Sequence, residues 1–294
     1  MSALVAEGLG KRYGRRWALQ NCSLSIQAGA VVGLVGANGA GKSTLLHLAV
    51  GLLQPNTGRI DVLGRRPGID ADALTTVGFV AQDAPVYDSL TVADHLQLGR
   101  RTNAIWDRQL AQDRVERLGL DRRQRAGRLS GGQRSQLALT LAMAKRPELL
   151  VLDEPVASLD PLARRGFLAD VVEMVAERGS TVVLSSHLIA DVERICDHLI
   201  VMVEGQVAVA GPVEQLLASH KVLTGARRDV RSMPKDQLVV QERHTDRQTT
   251  VLVQADGPVL DPGWIVSEVG LEDLVLAYMT AGNAPARALR AVAS

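Results

Sequence analysis

Val31-Val32-Gly33-Leu34-Val35-Gly36-Ala37-Asn38-Gly39-Ala40-Gly41-Lys42-Ser43 is the stretch whose reading decides the fold. Its first five residues are a continuous apolar run, the pattern of a strand buried on both faces. Residues 42–51 carry a helical pattern. Between them Gly36, four residues and Gly41-Lys42-Ser43 fit the phosphate-loop spacing. The glycines let backbone N–H groups turn inward onto α- and β-phosphates. Lys42 is placed to reach the β- and γ-phosphates and Ser43 to ligate Mg²⁺. Ala37, Asn38, Gly39, Ala40 and Thr44 complete the expected cradle.

Outward from this stretch, short apolar runs alternate with helical patterns up to about residue 220. Strands are expected at 59–63, 77–81, 149–153, 181–185 and 199–203. A hairpin over Glu204-Gly205 leads to another at 206–210. Helices are expected at 91–99, 106–118 and 161–178. Strand–helix alternation with apolar strands predicts an α/β fold with a mostly parallel sheet covered by helices. Aromatic residues make up only 3% of the 294, so the core must be built from Val, Leu, Ile and Ala. A net charge of +1 gives no electrostatic case for nucleic acid or an anionic membrane. No apolar run approaches the ~20 residues that a spanning helix needs, and residues 1–11 lack the pattern of a secretory signal. Cys22 and Cys196 stand in no metal or redox spacing and are read as free buried thiols.

Two further motifs carry chemistry. The strand at 149–153 ends in Asp153-Glu154. Asp153 is a hard oxygen donor suited to Mg²⁺, and Glu154, projecting differently, can polarise a water attacking the γ-phosphate. Leu129-Ser130-Gly131-Gly132-Gln133 offers a hydroxyl and unhindered N–H groups at a helix start, a second anion site in one chain.

In this order, and with about 90 residues between the two phosphate elements, these motifs resemble the nucleotide-binding subunit of ATP-binding cassette (ABC) transporters over residues 2–218. The resemblance implies a RecA-like lobe with an antiparallel β subdomain and a helical subdomain. It implies ATP and Mg²⁺ as ligands and Mg-dependent ATP hydrolysis. Tyr13 matches the residue that stacks on adenine, and Gln82 the one that senses Mg²⁺ and the attacking water. Asp160, in Ser158-Leu159-Asp160, matches the loop that crosses a dimer seam, and His187 the histidine that contacts the γ-phosphate. The remaining histidines, His47, His95, His198, His220 and His244, are read as incidental. The family pairs two nucleotide domains head to tail, so Ser130, Gly131, Gly132 and Gln133 would cap the neighbour's ATP. The implied partners are a second such domain, in a homodimer, and separately encoded transmembrane permease subunits. The implied location is cytoplasmic, peripheral on the inner face of the cell membrane.

The alternative is a soluble ABC ATPase acting on DNA or the ribosome. No long coiled-coil insertion and no second cassette favours it, and no nucleic-acid partner is expected. A regulatory module with little turnover would lack Glu154 or His187, and both are present. The segment 85–96 and the run Leu271-Glu272-Asp273-Leu274-Val275-Leu276-Ala277-Tyr278 are similar to single-cassette export subunits of the drug and antibiotic-resistance type. Composition shifts near Ser219. Residues 1–219 are therefore assigned to the nucleotide domain and 220–294 to a small α+β appendage, with short strands at 238–240, 251–253 and 264–266 and a helix at 271–279. Residues 281–294 have little to bury and are expected to fray. The basic clusters Arg122-Arg123-Gln124-Arg125 and Arg227, Arg228, Arg231 are read as solvated faces.

Overall fold

The computed structural model describes residues 1–70, 72–157, 159–230, 233–234, 236–255 and 257–281. The expectation for the tail therefore lies, from residue 282 on, outside the described residues. Among them the strands form three sheets.

The first sheet is antiparallel, with order β2-β1-β4, built from β1 (Ser2–Tyr13), β2 (Arg16–Gln27) and β4 (Thr57–Val62). Residues 2–27 were not expected to be strand, and the pairing explains why. The β1–β2 register shifts between Ala6 and Leu9, Leu9 and Lys11, and Lys11 and Arg12, so bulges break the period-two alternation by which a strand is recognised.

The central sheet has the order β5-β6-β7-β3-β8-β9. Its strands are β3 (Val31–Gly36), β5 (Val77–Val80), β6 (Leu149–Asp153), β7 (Thr181–Ser185), β8 (His198–Val203) and β9 (Gln206–Pro212). All pair in parallel except β9, which returns antiparallel over the expected hairpin. Every residue of β3, β6 and β7 is buried. Alternate side chains feed two cores. Val32, Leu34, Val151 and Val183 meet helix α1 (Lys42–Ala49) and the antiparallel sheet. Val35, Leu152, Val182 and Leu184 meet Phe167 and Val171 of α5 (Pro161–Arg178) and Val192 of α6 (Ile189–Ile195). The parallel register sets Asp153 beside Ser185. The carboxyl ends of β3, β6 and β7 thus open on one edge, where an open α/β sheet places ligands.

A helical layer is inserted after β5: α2 (Val92–Thr102), α3 (Arg108–Arg117), a 3₁₀ turn (Ala126–Arg128) and α4 (Gly131–Ala144). It has its own core of Val92, Leu96, Ala111, Val115, Leu120 and Leu137. Helix α3 starts after Asp107 rather than at Trp106. The Asp107 carboxylate caps it by accepting from the Leu110 N–H at 2.8 Å.

After α7 (Val213–Ser219), β10 (His220–Ala226), β11 (Gln237–His244), β12 (Gln248–Ala255) and β13 (Trp264–Glu268) form a third, antiparallel sheet of order β11-β12-β10-β13. One face buries Leu223, Val251, Val253 and Trp264. Arg228 is not a solvated charge. Its guanidinium lies 4.2 Å from the Trp264 ring centroid and pairs with Asp261 at 2.9 Å. The last helix, α8 (Leu271–Thr280), returns to the central core, where Leu271, Leu274, Val275 and Tyr278 pack with the residues around β8 and α6. His220, fully buried, spans this junction. Its Nδ1–H donates to the Leu216 carbonyl at 2.6 Å, and its Nε2 accepts from the Tyr278 hydroxyl at 2.8 Å.

Candidate functional site

The phosphate loop turns from β3 into α1 through Gly41, at φ +101°. A Cβ there would lie 2.6 Å from the Ala18 carbonyl oxygen and 2.7 Å from Leu19. Only glycine meets both demands. Gly41 caps α1 with no side chain of its own, so the first N–H groups of the helix stay available to an anion. Lys42 is buried. Its ammonium donates to the Gly36 carbonyl at 2.7 Å and lies 3.8 Å from Glu154 Oε1. Desolvation lowers its pKa, opposed by Glu154 and Asp153. The lysine is thus held inside the loop by the Gly36 and Ala37 carbonyls.

At the end of β6, Asp153 is buried, and its Oδ1 accepts from the Ser185 hydroxyl at 2.7 Å. The same hydroxyl oxygen accepts from the Glu154 N–H at 2.8 Å. Glu154 stands at φ +46°, a left-handed conformation that costs a non-glycine residue roughly 1–3 kcal/mol. This turns its carboxylate away from Asp153. One oxygen faces Lys42, and the other is 2.6 Å from His187 Nδ1.

Lys42, Glu154 and His187 line a cavity of about 800 Å³ together with Tyr13, Gly39, Ser43, Thr44 and Gln82, and Asp153 is buried behind it. Tyr13 is half exposed at the mouth, and Asn38 and Gly41 contribute to the same wall. Gly36, Ala37 and Ala40 form the turn behind it, where the Ala40 N–H donates to the Ala37 carbonyl at 3.1 Å. Sequence reasoning missed Arg16, which also lines the cavity. Its guanidinium would stand 3.6 Å from a Cβ on Gly39, beside the phosphate-loop motif. The basic pair Arg15-Arg16 directly after Tyr13-Gly14 was the available signal.

Ser130, Gly132, Gln133 and Asp160 line a different cavity, of about 480 Å³, with no residue in common with the first. Ser130 and Gln133 form a capping box at the start of α4. Ser130 Oγ accepts from the Gln133 N–H at 3.2 Å, and Gln133 Oε1 accepts from the Ser130 N–H at 3.0 Å. Gly131 is the first residue of the helix. Asp160 caps α5 through the N–H groups of Leu162 and Ala163, each at 2.9 Å. Ser158 lies outside the described residues. The candidate residues therefore stand in two clusters.

The ABC transporter family pattern matches residues 19–157. The chain is 37% identical over 233 residues to the phosphonates import ATP-binding protein of Rhodopseudomonas palustris, covering 72% of this chain and 83% of that one. It is 32% identical over 224 residues to the Nod factor export ATP-binding protein I of Rhizobium sp., covering 74% and 73%. The chain belongs to the ABC transporter ATP-binding proteins. The cassette spans 59% to 88% of the length of the curated relatives it matches. Its fold is similar to a dimeric ATP-binding cassette solved in a post-hydrolysis state with ADP and Pi. The TM-score is 0.64 at 25% identity, covering 71% of this chain and 98% of that one. The family match and the solved post-hydrolysis cassette place the chain among ATP-hydrolysing cassettes, and the solved fold supports the expected α/β core with parallel and antiparallel sheets. Among the described residues no helix is long and apolar enough to cross a membrane.

Proposed function

We propose that this cassette hydrolyses ATP at a site completed by a second copy of the chain, and that the cycle drives separately encoded permease subunits in export. The observation that carries the reading is the division of the site residues between two cavities with no shared lining. Neither cavity alone offers both a phosphate cradle and a cap.

In this reading Tyr13 stacks on the adenine, and residues 36–44 hold the phosphates. Lys42 moves from the Gly36 carbonyl to the β- and γ-phosphates. Glu154 accepts a proton from the attacking water, and His187, bonded to Glu154, contacts the γ-phosphate and steadies that carboxylate. Ser43, Gln82 and Asp153 would hold Mg²⁺ through hydroxyl, amide and carboxylate oxygens, a hard-donor set that suits it. When bound, Mg²⁺ neutralises charge on the transferred phosphoryl group. Ser130, Gly131, Gly132, Gln133 and Asp160 serve the neighbour's nucleotide.

The export direction rests on the likeness of residues 85–96 and of the α8 sequence to export subunits. The cassette would then sit on the inner face of the cell membrane through its permease. Residues 1–219 form the nucleotide domain, and residues from 220 an appendage whose last helix braces it.

The test is complementation. Lys42→Ala spoils the loop and Ser130→Arg the cap, so each is inactive alone. Mixed dimers should regain one competent site and about a quarter to half of the wild-type ATPase rate, on the order expected for one site in a two-site dimer. An inactive mixture, with mixed dimers demonstrated, overturns the reading.

A further inference from the structure

The start of α4 is exposed at Ser130 and Gly131 and only partly buried at Gly132 and Gln133. The cavity of about 480 Å³ separates it from α5, and that wall of α5 is made of Ala163, Gly166 and Ala169. Side chains this small cannot reach across. At the far end of the gap a polar cluster does. Asp170, on α5, receives Arg114 at 2.9 Å on one carboxylate oxygen and Arg117 at 2.8 Å on the other, both from α3. Arg114 is 3% exposed. It also donates to Gln136 and Thr140 of α4, each at 3.3 Å, and Gln136 is one helical turn beyond Gln133. Arg117 reaches Glu173 of α5 as well, at 3.4 Å. One carboxylate thus ties α5 to α3 and, through Arg114, to the helix that presents Ser130.

We propose that Asp170 is a positioning residue for the ATPase reaction. With Arg114 and Arg117 it sets the tilt of the helical layer, and hence how closely residues 130–133 approach the neighbour's ATP. The inference rests on the cross-chain reading above. Asp170 touches no nucleotide. Its effect falls on the partner's site and leaves its own phosphate loop unchanged. A charged link suits this task better than apolar packing, since it fixes direction while leaving the small-residue gap free to open and close.

The test uses the full chain carrying Glu154→Gln, so that bound ATP persists. Two quantities are measured: affinity of the dilute monomer for a fluorescent ATP analogue, and the ATP concentration at which dimers form in sedimentation velocity. Adding Asp170→Asn should leave monomer affinity unchanged and raise the ATP needed for dimerisation about tenfold, the loss of one charge-assisted link of ~1.4 kcal/mol. Arg117→Gln, at a half-exposed position, should raise it about two- to threefold. It decides the matter alone should Asp170→Asn fail to fold. Parental dimerisation in both variants, with Ser130→Arg unable to dimerise, overturns the role of Asp170 and leaves the cross-chain reading intact. Monomer affinity falling in step with dimerisation overturns it too, since that marks general destabilisation. Normal dimerisation by Ser130→Arg removes the cross-chain reading and this inference with it.

Discussion

Ser185→Ala is the most informative single change outside the nucleotide-contacting residues. The hydroxyl is fully buried and does two jobs. It donates to Asp153 at 2.7 Å and accepts from the Glu154 N–H at 2.8 Å. Removing it strands a buried carboxylate oxygen and a backbone N–H. Each unpaired group costs about 1–3 kcal/mol, and the methyl-sized space left is too small for a water with enough polar partners. The sum is roughly 2–6 kcal/mol. The lost bond also held Glu154 at φ +46°. Freed from it, the residue relaxes toward ordinary backbone, a fall of roughly 1–3 kcal/mol, and its carboxylate swings from the position facing Lys42 and His187. Two measurements follow. Denaturant titration should show the difference between these two contributions, roughly 2 kcal/mol, equivalent to a drop in Tm of about 4–8 °C. Steady-state kinetics should show kcat down by at least about tenfold at nearly unchanged KM, because the loop that grips the phosphates is untouched. A variant within about 1 kcal/mol of wild type and with normal kcat would refute the claim that this hydroxyl sets the Glu154 backbone.

Glu154→Gln keeps the side-chain shape and the neighbours but removes the proton acceptor. ATP binding should persist, turnover should fall by at least about a hundredfold, and an ATP-bound dimer should accumulate in gel filtration; full ATPase activity would remove Glu154 from its role. His220 predicts a pH dependence of stability. Burial lowers its pKa below the usual 6.5, outweighing the Leu216 carbonyl bond that raises it. The folded chain therefore binds fewer protons than the unfolded one just below pH 6.5. The stability that neutral His220 contributes is complete above that pH and declines as pH falls toward the lowered folded value. Denaturation midpoints at pH 7.5 and 5.5 should differ by more in wild type than in His220→Gln; equal differences would exclude His220 as the source.

Much of the site was legible because it is local. A strand, a glycine turn and a helix follow one another in residues 31–49, and Asp153-Glu154 ends an uninterrupted apolar strand. In both cases the motif and its structural context share one sequence window. What was not legible is long-range. The strands β1 and β2 hide behind bulges that scramble their alternation. Strand β10 begins at His220 in a charge-rich stretch, and only its pairing with β12 and β13 makes it a strand. The Arg228–Trp264 stack joins residues 36 positions apart, so its arginine reads as one of a solvated cluster. The separation of Ser130 and Gln133 from the chain's own phosphate loop was expected through the family resemblance, whereas the distinct cavity that they share with Asp160 is a property of packing.

The return of α8 to the central core has a bearing on how the molecule is made. Leu271, Leu274 and Val275 are buried there, each worth about 1.5–3 kcal/mol of apolar transfer as an upper bound. They lie against strands synthesised some seventy or more residues earlier. Until residue 280 leaves the ribosome, the side of the sheet around β8 and α6 stays uncovered and sticky. A nascent cassette can thus assemble its nucleotide loop well before its core is covered. A chaperone waiting at the exit would find its target in that bare flank, and a translation stall after residue 219 would leave an adhesive intermediate rather than a smaller working enzyme.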